Sequence, residues 1–186
     1  MKTILLTFIL VVNQPQGLTV PEARQAMKVT VAKLNTLSTK VKFKAMPLKR
    51  MRDPFPTTGN GYIRIAAWNN YYRRRHIAGN YIHVFDVNRD ATLAGVAFLC
   101  QPFKKRKQVS ITMQQPDGTP TYHGVAAAHE IGHQLGFDHV AFYFDKYISI
   151  MDWDLFAYRL LRHARKFAFA DPMEDLEYFD CKVNDV

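Results

Sequence analysis

Apolar residues fall in short blocks along the chain, and their spacing differs from block to block. Thr19-Val20-Pro21-Glu22 has the form of a capping box, and behind it Ala23, Met27, Thr30 or Val31, Leu34 and Leu37 recur at helical spacing. This predicts an amphipathic helix over residues 19–38 that packs one face on a sheet. Val41 to Met46 alternates and predicts a strand, after which Pro47, Pro54, Pro56, Gly59 and Gly61 mark loops around a third strand at Tyr62 to Ala67. Tyr81 to Val87, Ala91 to Leu99 and Gln108 to Met113 read as further strands, the last leading into a turn at Pro116 to Pro120. A second helix starts near Thr121 and carries the small-residue run Val125, Ala126, Ala127 and Ala128, which predicts close packing and burial. Asp152 or Asp154 can cap a final helix bearing Leu155, Phe156, Tyr158, Leu160, Leu161 and Phe167, with its Arg and Lys residues toward solvent. There is no internal repeat and no low-complexity tract.

Composition narrows the class without naming a function. A chain of 186 residues, 48% hydrophobic and 22% charged, suits one globular domain over 1–186 with a single core. The net charge of +9 favours acidic partners, and the basic residues cluster at Lys49-Arg50-Met51-Arg52, Arg73 to Arg75, Lys104 to Lys107 and Arg159 to Lys166, against an acidic stretch from Asp171 to Asp185. No zinc finger, RNA-recognition or helix-turn-helix pattern accompanies these runs, so solvated loops and helix faces are the better reading and no specific nucleic-acid partner is expected. Two cysteines, Cys100 and Cys181, are too few for a disulfide framework but enough for one bridge. Lys2 followed by the apolar run Ile4 to Val12 has the charge and length of a signal peptide and is too short to span a bilayer, so no transmembrane segment is expected. Asn13 to Gly17 is a poor cleavage region, with a proline where a small residue is wanted.

The chemistry concentrates in His129-Glu130-Ile131-Gly132-His133-Gln134-Leu135-Gly136-Phe137-Asp138-His139. His129 and His133 are four apart, so on a helix their rings share one face and can hold one metal ion. Glu130 stands beside the first of them as a general base that need not ligate the metal. Gly136 is where the helix should stop, since a left-handed residue costs glycine no Cβ clash, and the reversal would return His139 to the metal. Three imidazoles leave a fourth position open, the catalytic form of a zinc site. Three His, one Glu and one Gly at these offsets should arise by chance on the order of once in 100,000 such sequences.

The pattern H-E-x-x-H-x-x-G-x-x-H resembles the zinc signature of the metzincin clan of metallopeptidases, and Ser149-Ile150-Met151-Asp152 resembles that clan's methionine turn. The resemblance implies an α+β fold: a twisted mixed five-stranded sheet with a long N-terminal helix, a zinc-binding active-site helix and a C-terminal helix. Met151 would be a hydrophobic floor beneath the metal. Leu6 to Val12 followed by Thr19 to Ser38 resembles the clan's opening strand and helix, which favours strand over signal peptide for residues 1–17. Leu93 to Leu99 would be the edge strand above the cleft, where an extended substrate gains main-chain hydrogen bonds. The same segment resembles an adamalysin-type strand ending in a cysteine that pairs near the C-terminus, so a Cys100–Cys181 bridge and a secreted, extracellular protein are implied. Val140 follows the third His where astacins, matrixins and adamalysins carry other residues, which leaves the subfamily open. Ser149-Ile150-Met151 looks astacin-like, yet Trp153 stands where astacins place a zinc-binding tyrosine, so a fifth ligand is not expected. Trp153, Leu155 and Phe156 either wall a specificity pocket or pack in the core.

The function expected is a zinc metalloendopeptidase, monomeric, cutting protein or peptide by Glu130-assisted attack of zinc-bound water, with one catalytic zinc on His129, His133 and His139. The alternatives are a non-catalytic zinc-containing domain and a basic polyanion-binding module. His76, His83, His123 and His163 remain outside the motif. A second zinc, or calcium, near His83 and Asp86 is less favoured than two satisfied structural groups, although calcium is not excluded.

Overall fold

A computed structural model describes residues 2–12, 17–36, 41–55, 59–73, 75–86, 94–98, 109–114 and 118–135, together with the backbone of two short strands at 148–149 and 167–168. The main sheet is built on β1 (Lys2–Val12), the longest strand, which pairs in parallel with β4 (Tyr81–Asp86) on one side. Its other side is shared by β2 (Val41–Ala45), opposite Lys2 to Leu6, and β3 (Lys49–Arg52), opposite Ile9 to Val12. Beyond β4 come β6 (Val109–Met113), parallel, and at the free edge β5 (Gly95–Val96), antiparallel. The architecture is the mixed α and β fold expected, with a mixed sheet of six strands and three helices among the described residues.

Period-two alternation along β1 assigns the two faces. Ile4, Leu6, Phe8 and Leu10 pack under α1 (Val20–Asn35) and α3 (Pro120–Leu135), while Ile9 and Val11 pack under α2 (Gly61–Arg73). The apolar run at the start of the chain is therefore a strand buried on both faces, as parallel sheets with helices on each side require. The capping box that opens α1 is formed. Thr19 Oγ1 accepts from the Glu22 backbone, and the Glu22 carboxylate accepts from the Thr19 hydroxyl at 2.7 Å and from the Thr19 backbone at 2.8 Å, which together, the hydroxyl foremost, lower the Glu22 pKa. α1 and α3 cross at Gly124, where a Cβ would strike Val29 Cβ at 2.6 Å and the Ala26 carbonyl oxygen at 2.7 Å. From His123 to Leu135 every residue of α3 is buried, as its small-residue run predicts.

Three sequence expectations need correction. Tyr62 to Ala67 is helix, not strand. Its apparent alternation treats Arg64 as a solvent-facing position, whereas Arg64 is fully buried and paired, and the buried set Ile65, Trp68 and Tyr72 has helical spacing. The helix start was legible at Asn60, whose side chain accepts from the Ile63 backbone at 3.1 Å. Lys49-Arg50-Met51-Arg52, read as a solvated loop, is the edge strand β3; Lys49, Arg50 and Arg52 are exposed, and the pairing to β1 is made by backbone. A charged edge of this kind resists pairing with other chains. Phe167, expected in the final helix, lies in β8 (Phe167–Ala168), paired in parallel with β7 (Ile148–Ser149). The alternation Phe167-Ala168-Phe169-Ala170 carries that strand signal. The remainder of the expected C-terminal helix falls outside the described residues, as do Met151, Trp153, Cys100 and Cys181. No described helix is long and apolar enough to cross a membrane.

Candidate active site

The described C-terminal turns of α3 bring His129, Glu130 and His133 together beside β5, the last of the described strands on that side of the sheet. His129 Nε2 and His133 Nε2 stand 3.1 Å apart, with the ring planes at 88°. Both residues are buried, yet each keeps a few per cent of exposure, 4% for His129 and 6% for His133. Two imidazole nitrogens each about 2.0–2.1 Å from a tetrahedral zinc would be roughly 3.3 Å apart, so this pair fits one shared ion. Among the described residues no group of three His, Cys, Asp or Glu is poised to hold a metal. The third expected ligand, His139, lies outside the described residues. The described part of α3 runs to Leu135, and Gly136 lies outside the described residues.

Two contacts that the sequence does not announce hold this turn in place. Gln134, next to His133, donates from Nε2 to the Ile82 carbonyl of β4 at 3.1 Å, tying the end of the helix to the middle of the sheet. On the other side Glu130 lies against the Cα of Gly95 in β5. Glu130 is 4% exposed, and burial raises its pKa well above the ordinary carboxylate value because the charged form loses hydration.

The profile of the M12B metallopeptidases, described as reprolysin-like, matches residues 25–140, well over half of the chain and the whole of the His129 to His139 motif. The chain belongs to this family. The metzincin resemblance is thereby borne out, and of the three subfamily leanings the match supports the reprolysin-like one. Among solved structures, this reprolysin-like chain superposes on one described as a chaperone–substrate complex, with a TM-score of 0.64 at 12% identity over 95% of this chain and 30% of that one. It also superposes on metalloproteinase-II from Bacteroides fragilis, with a TM-score of 0.53 at 15% identity over 75% of this chain and 44% of that one. At these identities the likeness is one of fold, and the chain spans less than half the length of either protein. A search of curated proteins finds no match.

The second metal site imagined at His83 and Asp86 is not formed. The two residues lie on opposite faces of β4 and are both engaged. His83 bonds the Ser110 hydroxyl through Nδ1 at 2.8 Å and the Thr112 hydroxyl through Nε2 at 2.6 Å, under Phe8 and Phe85. Asp86 faces α2, where it accepts from Arg64 and from Trp68 Nε1. His123 is buried with its ring edge-on to Tyr122, His76 is exposed, and His163 lies outside the described residues.

Burial, with a smaller contribution from His123, pushes the His83 pKa down to about 3. Above the unfolded value of about 6.5 both states are neutral; between there and about 3, unfolding takes up one proton and stability falls by roughly 1.4 kcal/mol per pH unit. Wild type should thus lose about 2 kcal/mol more than His83→Gln between pH 7 and pH 5 in urea denaturation. Parallel losses in the two proteins would show that His83 is protonated in the folded state.

Proposed function

We propose that this chain is a zinc-dependent endopeptidase in which His129, His133 and His139 hold one zinc ion and Glu130 is the general base. The observation that carries this is the convergence of His129 and His133 Nε2 at 3.1 Å with Glu130 between the same helix turn and the sheet edge. Zinc in such a site supplies Lewis-acid polarisation of a carbonyl and a water nucleophile at neutral pH. Glu130 takes the proton of the attacking water and passes it to the leaving amine.

The free edge of β5 supports an extended substrate. Among the described residues its one sheet neighbour is β6, which leaves the other side of the strand for a peptide backbone, and binding there would be largely independent of side chain. We take the substrate to be protein or peptide, met outside the cytoplasm, where a Cys100–Cys181 bridge would persist.

Cleavage of a mixed peptide library, read by mass spectrometry, tests this. Cuts should vanish on chelation and return with added zinc. A protein that cuts nothing, binds polyanions with an affinity that falls steeply with salt and ignores chelator would instead be the basic binding module.

A further inference from the structure

Glu130 stands against a residue that has no side chain. In β5, Gly95 pairs opposite Thr112 and Val96 opposite Ile111, and Val96 packs into the core on the α2 side. Residue 95 therefore faces α3. A Cβ there would lie 2.6 Å from Oε1, 2.7 Å from Cγ and 2.8 Å from Cδ of Glu130. Carbon atoms in good contact keep about 3.5 Å, so the carboxylate would have to retreat by close to an ångström.

The partner in this clash distinguishes Gly95 from Gly124. At Gly124 the nearest atoms include a helix carbonyl, and glycine there sets how closely α1 and α3 approach. At Gly95 the three nearest atoms all belong to the Glu130 side chain. The strand itself is fixed: Met113 donates to the Ala94 carbonyl at 2.8 Å, and Val96 is buried. The flexible carboxylate is thus what would yield.

We infer that Gly95 is a positioning residue for Glu130, the seat on the edge strand that sets where the carboxylate stands. Its steric part stands on its own, while its catalytic consequence rests on the peptidase function proposed above. Moving a proton-transfer group by about 1 Å costs on the order of 10²-fold in rate. The three atoms nearest to such a Cβ all belong to Glu130 and none to the proposed ligands His129 and His133, so metal affinity should be spared.

The full-length chain carrying Gly95→Ala, Glu130→Ala or both separates these effects. Gly95→Ala should lower Tm by about 2–4 °C in the wild-type background. In the Glu130→Ala background the clash partner is gone, and the same change should be neutral or slightly stabilising, since alanine loses less backbone entropy than glycine. A crystal structure of Gly95→Ala should show the carboxylate displaced and both histidines in place. Zinc content should stay at that of wild type, kcat on library peptides should fall about 10–100-fold, and KM should hold within about threefold. Equal Tm shifts in the two backgrounds, an unmoved carboxylate, or an undiminished kcat would each overturn the assignment. A wild-type protein that binds zinc and cuts nothing would count against the peptidase function, and the Tm comparison would still decide whether Gly95 seats Glu130.

Discussion

Glu130→Gln is expected to lower kcat for peptide cleavage by about 10²–10⁴-fold while the protein keeps its fold and its zinc. Glutamine matches glutamate in shape and fills the space against Gly95 equally well, so neither α3 nor the edge strand need shift. What it lacks is basicity: its amide oxygen accepts a hydrogen bond but is too weak a base to take the proton of water. Stability should not suffer. Glu130 is nearly fully buried, and its charged form is penalised by lost hydration, whereas a neutral amide avoids that penalty. The comparison variant is His133→Ala, which removes a proposed ligand and should lose zinc together with activity. Single-turnover cleavage and metal analysis on the two proteins distinguish the roles. A Glu130→Gln protein that retains more than about a tenth of wild-type kcat would remove Glu130 from the role of base, and one that loses zinc would make it a ligand instead.

The parts of this site that were legible in the sequence are those encoded within one or two helical turns. His129, Glu130 and His133 fall within five residues on a single helix, and the Thr19–Glu22 capping box closes within four, so residue spacing fixes their geometry before any tertiary contact forms. Gly95 was invisible because its partner is thirty-five residues away and the contact exists only after β5 has docked on β6. Gln134 reads as a polar spacer inside the motif, and its bond to the Ile82 carbonyl depends on where the sheet lies beneath α3. The α2 helix failed for a related reason. Helical periodicity there is carried partly by a buried arginine, while Tyr62 and Ile63, two of the residues that suggested a strand, are exposed at 63% and 52%. A hydrophobic pattern reports burial only when charged residues stay outside, and Arg64 does not.

Arg64 also supports the prediction with the largest expected effect on stability: Asp86→Ala should destabilise the fold by about 3–5 kcal/mol. Arg64 and Asp86 are both fully buried. Arg64 Nε donates to Asp86 Oδ2 at 2.6 Å, one terminal nitrogen reaches Asp86 Oδ1, and the guanidinium also bonds Asp53 and, at 2.9 Å, the Phe55 carbonyl. Trp68 Nε1 completes the set by donating to Asp86 Oδ2 at 2.8 Å. Removing Asp86 takes two hydrogen bonds from a buried cation and the acceptor from a buried indole N–H, and such losses cost far more than the pair itself contributes. Asp86→Asn should cost less, because an amide oxygen still accepts one of these bonds. Replacing the pair by Arg64→Met with Asp86→Leu should recover only part of the loss, since the Asp53 carboxylate loses its Arg64 bonds and the Trp68 N–H its Asp86 acceptor. Urea denaturation of the three variants would show this ordering; an Asp86→Ala protein within about 1 kcal/mol of wild type would mean that water reaches the cluster. The consequence extends to the site, because Asp86 ends β4, its carbonyl accepts from Gln114, and Met113 beside it bonds Ala94, the residue before Gly95. The buried ion pair on the α2 face thus anchors the strand ends from which the edge beside Glu130 is hung, and residual zinc-dependent activity of the folded Asp86→Asn protein would measure how much of that anchoring the site requires.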